Sequence, residues 1–428
     1  MSTGFVVFLA VFVLAFMLGI NMPVGILTAC SCYFLFSDMN VRIVSQVFMG
    51  GFMSNYVVMA IPLYIFAANV MNHGKITDMI FDFCKGLVGK LPGGLAHVNV
   101  LNSLVFAGMT GSAVADASGI GKLEIDVMRK AGYEPEFACS VTAASATLGP
   151  IFPPSIPMIL YATVSGASVG ALFMGGMIPA IILTGFLMIY VAFIAKKRNY
   201  PRDPITDIKL FLMQTLKSIP ALMTPVILLV GIYTGAMTPT EAGAVAAIYA
   251  LLLAAFAYKM VGWKDLMNLL SSTVESTAVS ALMVGVAPVM SYIISREQIA
   301  VRVSEAVLGL TTNPTVFLFI VSGLLLVLGC FVTSSVIQLV VIPLLLPAVV
   351  SMGIDLVFFG VLTTYIIMVG LSTPPYGMLL FITSGISETP LTKVIREIWP
   401  MIAVMIFVAI VMILFPATVT MLPELLMG

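Results

Sequence analysis

The sequence predicts an all-α polytopic membrane protein built from two inverted repeats. Of its 428 residues, 61% are hydrophobic and 9% are charged, whereas soluble globular domains have roughly 45–50% and about 25%. The hydrophobic residues form blocks of the length that crosses a bilayer as a helix, about 20 residues, and one arrangement of glycines and prolines occurs twice. With 19 basic and 19 acidic residues the net charge is +0, which excludes a basic surface for nucleic acid.

The apolar blocks, taken in chain order, give the predicted crossings. The first block breaks at Asn21-Met22-Pro23 and the sixth near Thr238-Pro239, so each is long enough to cross twice. Two other blocks have clusters of Gly, Ser and Thr in the middle, and two have a double proline. The blocks are 4–37, 50–72, 93–121, 136–166, 170–195, 218–258, 266–294, 314–350, 356–386 and 398–421.

The blocks with hydroxyl clusters are predicted to be re-entrant hairpins, at about 93–130 and about 314–350. The blocks with Pro-Pro are predicted to be broken helices, at 136–166 and 356–386, because two successive prolines remove two backbone donors and disfavour helix in the preceding residue. Backbone that unwinds inside a membrane has to line a cavity or be buried in protein. The breaks therefore mark a candidate functional site.

These interruptions repeat along the chain with one constant spacing. Each copy starts with the pattern Gly-x-acid-x-x-Phe, reaches a second glycine after seventeen residues and a double proline after four more. The matched features, 221 residues apart, are Gly132 and Gly353, Gly149 and Gly370, and Pro153-Pro154 and Pro374-Pro375. The tripeptides Thr110-Gly111-Ser112 and Thr333-Ser334-Ser335 precede them. The chain is therefore predicted to consist of two repeats, 1–210 and 211–428.

Basic residues, which collect in cytoplasmic loops, set the predicted orientation. The densest cluster is placed inside and contains Lys196, Lys197, Arg198, Arg202, Lys209 and Lys217. With both hairpins re-entrant, only Arg42, Arg296 and Arg302 remain outside, and each repeat has five crossings plus one hairpin. Because five is odd, the repeats are inverted and both termini are predicted to lie outside. Inverted repeats with broken helices are typical of secondary transporters.

The predicted breaks, 149–155 and 370–377, suit cations and carboxylates. Unwound carbonyl groups are hard oxygen ligands for Na⁺, and facing half-helix N-termini favour a carboxylate. The hydroxyl groups that would complete both kinds of site are Thr110, Ser112, Thr333, Ser334 and Ser335. The alternative is that Pro and Gly only kink the helices.

Because the breaks contain few carboxylates, coupling to Na⁺ is favoured over coupling to H⁺. Asp116 either lines the cavity or pairs with Lys122.

Enzyme and transition-metal signatures are missing from the sequence. Gly121-Lys122 lacks the flanking residues of a Walker A motif, and Gly166-Ala167-Ser168-Val169-Gly170 matches G-x-S-x-G only in a short turn between apolar blocks. The five scattered cysteines are assigned to packing. His73 and His97 lie near predicted membrane borders and are interpreted as interfacial. The chain is therefore predicted not to be an enzyme and to use no transition metal.

The run Pro153-Pro154-Ser155-Ile156-Pro157, together with several other segments, resembles the large membrane subunit of tripartite ATP-independent periplasmic (TRAP) transporters of the C4-dicarboxylate or sialic acid type. The likeness covers nearly the whole chain, and this run is its most specific part. The second hairpin tip departs from the family pattern, since Thr333-Ser334-Ser335 stands where many members have an acid and threonines. The other matching segments are 111–116, 132–133, 146–152, 238–244 and 370–375.

The resemblance implies Na⁺-driven import of an acidic organic solute across the bacterial inner membrane. It also implies two partners, a periplasmic substrate-binding protein and a small four-helix membrane subunit, and an elevator mechanism in which a transport domain moves against a scaffold. By matching position, two or more Na⁺ sites would use Ser103, Gly108, Thr110, Ser112 and Gly149, and Gly329, Thr333, Ser334, Gly370 and Thr373. Substrate would meet Ser112, Asp116, Pro153, Pro154, Ser155, Ser335, Pro374 and Pro375.

Two other functions remain open. A one-component Na⁺/carboxylate symporter of the same broken-hairpin architecture would need no binding protein. An ion channel would need a continuous polar path, which hairpins that open to opposite faces do not favour. The identity of the acid is not readable from the sequence, although the first hairpin region slightly favours sialic acid.

Overall fold

The structure, a computed structural model, describes residues 2–37, 39–53, 56–72, 76–202 and 208–427. Within these ranges all regular secondary structure is helical and no strand occurs, as the composition predicts. His73 lies outside the described residues. His97 was predicted to be interfacial, but its side chain is only 2% exposed because α6 (Gly94–Thr110) is buried along most of its length.

The helices of the first half of the chain are α1 (Thr3–Met17), α2 (Met22–Phe36), α3 (Arg42–Met53), α4 (Ala60–Asn72), α5 (Ile76–Val88), α6 (Gly94–Thr110), α7 (Ala113–Ser118), α8 (Ile120–Lys130), α9 (Pro135–Ser145), α10 (Ile156–Ser165) and α11 (Val169–Lys197). Those of the second half are α12 (Ile208–Tyr233), α13 (Pro239–Leu252), α14 (Trp263–Arg296), α15 (Ile299–Leu310), α16 (Pro314–Phe331), α17 (Ser334–Val336), α18 (Ile342–Ser351), α19 (Leu356–Leu371), α20 (Met378–Ser387), α21 (Leu391–Leu414) and α22 (Ala417–Met427). Short 3₁₀ segments cover Tyr56–Met59 and Ala146–Leu148, and π segments cover Leu253–Ala257 and Ile337–Val341.

Seven segments of the described residues are long and apolar enough to cross a bilayer, or eight if the bent pair Val57–Asn72 and Ile76–Val88 is one span. The sequence predicts ten crossings. The difference arises from short helices such as α1 and α2, which have 15 residues each. At 1.5 Å per residue each is about 22 Å long, shorter than the roughly 30 Å hydrocarbon core.

Both predicted hairpin ranges contain a helix, a turn and returning helical segments. In the first range α6 ends at Thr110, the chain turns at Gly111-Ser112, and α7 and α8 pack back against α6. In the second range α16 ends at Phe331, and α17, a π segment and α18 follow. Each hairpin range is followed along the chain by a segment with the double proline.

The Pro-Pro segments are non-helical and lie between buried helices. Between α9 and α10 the chain leaves the helix over 149–155, as predicted. The second break covers only 372–377, so the prediction that Gly370 is unwound is wrong. The Thr373 N–H still bonds to the Gly370 carbonyl, 2.9 Å away, and the first missing backbone donor along the chain belongs to Pro374. Both prolyl–prolyl bonds are cis.

A charged cluster connects the start of α9 to α21. Arg198 donates a hydrogen bond to Glu134 and forms a salt bridge with Glu397, with both N–O distances 2.7 Å. The Tyr200 hydroxyl also donates to Glu134, and its ring packs on Tyr133 with centroids 4.4 Å apart. Burial raises the pKa of Tyr200, and the neighbouring Glu134 carboxylate raises it further. The hydroxyl therefore remains a donor at neutral pH, and the cluster fixes the position at which the first broken helix begins.

Candidate functional site

A cavity of about 450 Å³ lies where the two hairpin tips, the first break and α19 meet α4 and α14. The hairpins contribute Thr110, Gly111, Ser112, Ser334 and Ser335 to its lining. The first break contributes Pro150, and Ile156 and Pro157 at the start of α10 follow it. None of the described residues that line the cavity is charged. Hydroxyl, amide and backbone groups therefore have to supply its polar interactions.

The first hairpin tip rests directly on the first break. Gly111 ends α6 with φ +60°, a left-handed conformation that favours glycine. The Ile156 N–H donates to the Gly111 carbonyl over 3.4 Å. The Ser112 hydroxyl accepts from the Ala115 N–H, and the Ser155 hydroxyl accepts from the Met158 N–H. Two helices, α7 and α10, thus start side by side at the cavity.

The predicted Na⁺ residues of the first half fall into two groups. Thr110 and Ser112 line the cavity, and Gly149 lies behind the tip, where an ideal Cβ would be 3.2 Å from the Ser112 carbonyl carbon. Ser103 lies deeper, with its hydroxyl 3.1 Å from that of Ser145. Gly108 does not line the cavity, and the side chains nearest to an ideal Cβ there belong to Pro225 of α12 and Phe152 of the first break.

The predicted Na⁺ residues of the second half are arranged similarly. Ser334 lines the cavity, whereas Thr333 does not. Gly329 and Gly370 are packed against each other where α16 crosses α19, and the Thr373 hydroxyl bonds to the Val369 carbonyl over 2.7 Å. The Gly377 N–H donates to the Cys330 carbonyl over 3.3 Å. The second break is thus bonded to the end of α16, as the first is to the end of α6.

Most of the predicted substrate residues do not line the cavity. Ser112 and Ser335 do, while the prolines Pro153, Pro154, Pro374 and Pro375 are absent from its lining. The Ser155 hydroxyl is buried and donates to the Pro150 carbonyl, 2.5 Å away. The prolines thus keep the segment non-helical, and the Ser155 hydroxyl forms a hydrogen bond across the first break to Pro150.

Asp116 is 1% exposed and also lies outside the cavity lining. It makes no salt bridge with Lys122, whose side chain is exposed, so the pairing that the sequence left open does not occur. The Ser103 hydroxyl is the nearby polar group, but neither carboxyl oxygen makes a hydrogen bond in the described part of the chain.

The polar cavity residues of α4 and α14 were missed by the sequence reasoning: Asn69 and Asn72 of α4, and Ser276 and Ser280 of α14. Asn69 donates to the Thr273 hydroxyl over 3.0 Å, which ties the two helices together beside the cavity. The available signals were two amides three residues apart in an apolar block and two serines four apart, spacings that place each pair on one helix face. Nothing in the sequence indicates that these faces meet the hairpin tips.

A buried polar network stabilises the first hairpin behind its tip. Glu124, 1% exposed, accepts a hydrogen bond of 2.7 Å from the Asn102 amide, while its other oxygen has no partner among the described residues. Asn99 donates to Thr142 over 2.7 Å and accepts from Ser145 over 2.8 Å. The network therefore joins α6 to α8 and to the first broken helix.

Replacing Asn102 with leucine is expected to lower the free energy of unfolding by about 2–3 kcal/mol, because Glu124 then loses its donor inside the protein. The double variant Asn102→Leu with Glu124→Leu removes both partners and should recover most of that loss. Unfolding of the purified protein in detergent measures both values. A double variant as unstable as the single one would contradict the assignment.

The chain was then compared with known proteins. Residues 5–418 match the family model described as "Tripartite ATP-independent periplasmic transporter, DctM component". The chain is 39% identical over 411 residues to the sialic acid TRAP transporter large permease protein SiaM of Vibrio cholerae, covering 95% of this chain and 96% of the relative. It is 38% identical over 423 residues to the sialic acid TRAP transporter permease protein SiaT of Haemophilus influenzae, covering 98% of this chain and 68% of the relative.

Two further comparisons extend this result. The chain is 32% identical over 435 residues to the C4-dicarboxylate TRAP transporter large permease protein DctM of Vibrio cholerae. The match covers 96% of this chain and 96% of the relative. The crystal structure of the YdaH transporter of Alcanivorax borkumensis superposes with a TM-score of 0.63 at 16% identity, covering 87% of this chain and 88% of that one, which shows a shared fold. The relatives are named as transport permeases, so the prediction that the chain is not an enzyme is confirmed. This multi-pass membrane protein belongs to the DctM component family of the tripartite ATP-independent periplasmic transporters.

Proposed function

We propose that this chain is the large membrane subunit of a Na⁺-coupled importer of an acidic organic solute, sialic acid or a C4-dicarboxylate, in the bacterial inner membrane. The observation that carries the proposal is the cavity at which Ser112 of the first hairpin and Ser334 and Ser335 of the second meet, and whose described lining residues are uncharged. Segments that are more than 200 residues apart in sequence thus contribute the same kind of group to one site, beside a break in a buried helix.

The two halves would act as inverted repeats, each with a hairpin and a broken helix. The constant offset of 221 residues supports this assignment. So do two equivalent hydrogen bonds, from the Ile156 N–H to the Gly111 carbonyl and from the Gly377 N–H to the Cys330 carbonyl. The hairpins and broken helices would form the transport domain and move against the remaining helices as a scaffold, in an elevator mechanism. Both chain termini would face the periplasm.

Coupling to Na⁺ fits the donor set of the site. Thr110 and Ser112 offer hydroxyl oxygens at the cavity, and the non-helical residues 149–155 offer carbonyl oxygens, which are hard ligands. The buried Ser103 would contribute its hydroxyl oxygen to this Na⁺ site from deeper in the protein. The second site would use the hydroxyls of Ser334 and Thr373 and the carbonyls near Gly329 and Gly370.

The acidic substrate would bind at the hairpin tips with a carboxylate at the start of α10. This helix has ten residues and begins at the cavity with Ile156, so its positive dipole end faces the bound anion. The names of the relatives, sialic acid and C4-dicarboxylate permeases, support the same class of acid.

Two partners are proposed: a periplasmic binding protein that delivers substrate and a small membrane subunit that packs on the scaffold. The chain spans 68% of the length of the relative named SiaT. Exposed apolar side chains on α12 and α14, among them Leu216, Val230 and Val274, would face lipid or that subunit.

Uptake into proteoliposomes that contain this chain and its small subunit tests the proposal. Labelled sialic acid or succinate is supplied with its binding protein, with and without an inward Na⁺ gradient. Uptake that requires both is the expected result. Full uptake driven by a proton gradient alone would contradict Na⁺ coupling, and uptake with Na⁺ but without a binding protein would indicate a one-component Na⁺/carboxylate symporter. Flux that neither saturates nor follows the gradient would indicate a channel.

A further inference from the structure

One wall of the cavity belongs to neither the hairpins nor the broken helices. It consists of Asn69 and Asn72 of α4 and Ser276 and Ser280 of α14, and is called the amide–hydroxyl wall below. The Asn69–Thr273 hydrogen bond holds the two helices in register. The Asn72 side-chain oxygen makes no hydrogen bond in the described part of the chain, so it is free to accept one.

The chemistry of this wall discriminates between kinds of acid. A dicarboxylate has a second anionic group, and a carboxylate removed from water without a cation or several donors is costly. Among the described residues, the cavity lining contains no Lys, Arg or His. Asparagine and serine side chains both donate and accept, which matches the hydroxyl and amide groups of a polyhydroxylated monocarboxylic acid.

The cavity is large enough to hold a small organic acid. The cavity volume of about 450 Å³ falls within the roughly 300–1,000 Å³ typical of small-molecule sites. The cavity lining has two parts. The hairpin side contains Ser112 at the tip and Ile156 at the start of α10, and the other side is the amide–hydroxyl wall on α4 and α14. A ligand with one anionic end and one hydroxylated end can use both sets.

We propose that the amide–hydroxyl wall determines substrate specificity by binding the hydroxylated part of a sugar-acid-like monocarboxylate, and that it selects against C4-dicarboxylates. The inference rests on the proposed function of the cavity as the substrate site. The hairpin tips then hold the carboxylate, which all acids of the class share, and the wall distinguishes one acid from another.

Direct binding to the purified complex of this chain and its small subunit tests this inference without the selectivity of a binding protein. Affinities for sialic acid and for succinate are measured at saturating Na⁺. We expect the wild-type complex to bind sialic acid at least about tenfold more tightly. Asn72→Ala and the double variant Ser276→Ala/Ser280→Ala should each weaken sialic acid binding about fivefold to tenfold, the effect of one or two lost hydrogen bonds, and leave succinate binding unchanged.

Ser272→Ala is the matched control, because Ser272 lies one turn earlier on α14 and does not line the cavity. It should bind both acids as the wild type does. Equal or tighter binding of succinate by the wild type would overturn the inference, as would variants that weaken both acids equally. If Na⁺-driven uptake of an acid persists in that case, the proposed function stands and only the role of the wall fails.

Discussion

Replacing Gly370 with valine is expected to abolish uptake while the protein still inserts into the membrane. An ideal Cβ at Gly370 would lie 2.7 Å from the Gly329 Cα and 2.7 Å from the Leu326 carbonyl oxygen. Both obstacles are backbone atoms of α16, so a side-chain rotation cannot relieve the contact. Small residues allow membrane helices to approach this closely, and forcing extra carbons into a packed site costs about 1–3 kcal/mol or more.

Gly323 provides the matched control. It lies on α16, the helix that Gly370 of α19 contacts, and an ideal Cβ there would have no neighbour within 4 Å, so Gly323→Val should transport normally. Uptake is measured together with the amount of monodisperse protein in detergent. Normal uptake by Gly370→Val would show that the crossing of α16 and α19 tolerates separation and that the second break is only structural.

Gly149→Val, the equivalent change in the first half, should also abolish uptake. Its ideal Cβ lies 3.2 Å from the Ser112 carbonyl oxygen, so the two extra methyl groups would displace the tip from the break. Gly149→Ala is expected to retain part of the activity, because a shift of a few tenths of an ångström accommodates one carbon at that distance. Measuring uptake for the alanine and valine variants side by side checks this order.

Replacing Gly111 with alanine is expected to lower uptake more than tenfold, since two costs coincide at the first hairpin tip. The φ of +60° disfavours any residue with a Cβ by about 1–2 kcal/mol. In addition, an ideal Cβ would lie 2.6 Å from the Pro154 carbonyl oxygen. The tip would have to move away from the break, which removes the bond between Ile156 and Gly111 and shifts Ser112.

Gly166→Ala separates these two costs. Gly166 has φ +74° and an ideal Cβ there would have no neighbour within 4 Å, so only the conformational cost applies. We expect this variant to be slightly less stable and to transport at more than half of the wild-type rate. Similar losses in both variants would mean that left-handed backbone strain, and not contact between the tip and the break, limits transport.

Local chemistry explains why much of the fold was predictable. Composition indicated a helical membrane protein, and Pro153-Pro154 indicated the first break, because missing donors act on their own segment wherever it lies. The second break was placed two residues too early, since Leu371 still completes α19 before the prolines take effect. The sequence predicts ten crossings, whereas seven or eight of the described segments are long and apolar enough to span a bilayer, because helices such as α1 and α2 have only 15 residues each.

The candidate site was only partly predictable. The hydroxyls at Thr110, Ser112, Ser334 and Ser335 were identified from repeated motifs, and the structure places all four at one cavity. The position of Asp116 was left open, and burial behind the tip places it outside the cavity lining. Prolines 153, 154, 374 and 375 were assigned to the substrate because they define the breaks, yet they are not among the lining residues.

The sequence by itself determined the class of protein, the position of the first break and the family, because composition, helix breakers and motifs are properties of contiguous residues. Only the tertiary structure decided which helix faces surround the cavity, that Gly329 meets Gly370, and that Asn72 and Ser276 share a wall with the hairpin tips. These are contacts between segments far apart in the chain. They depend on how whole helices pack, which no local pattern encodes.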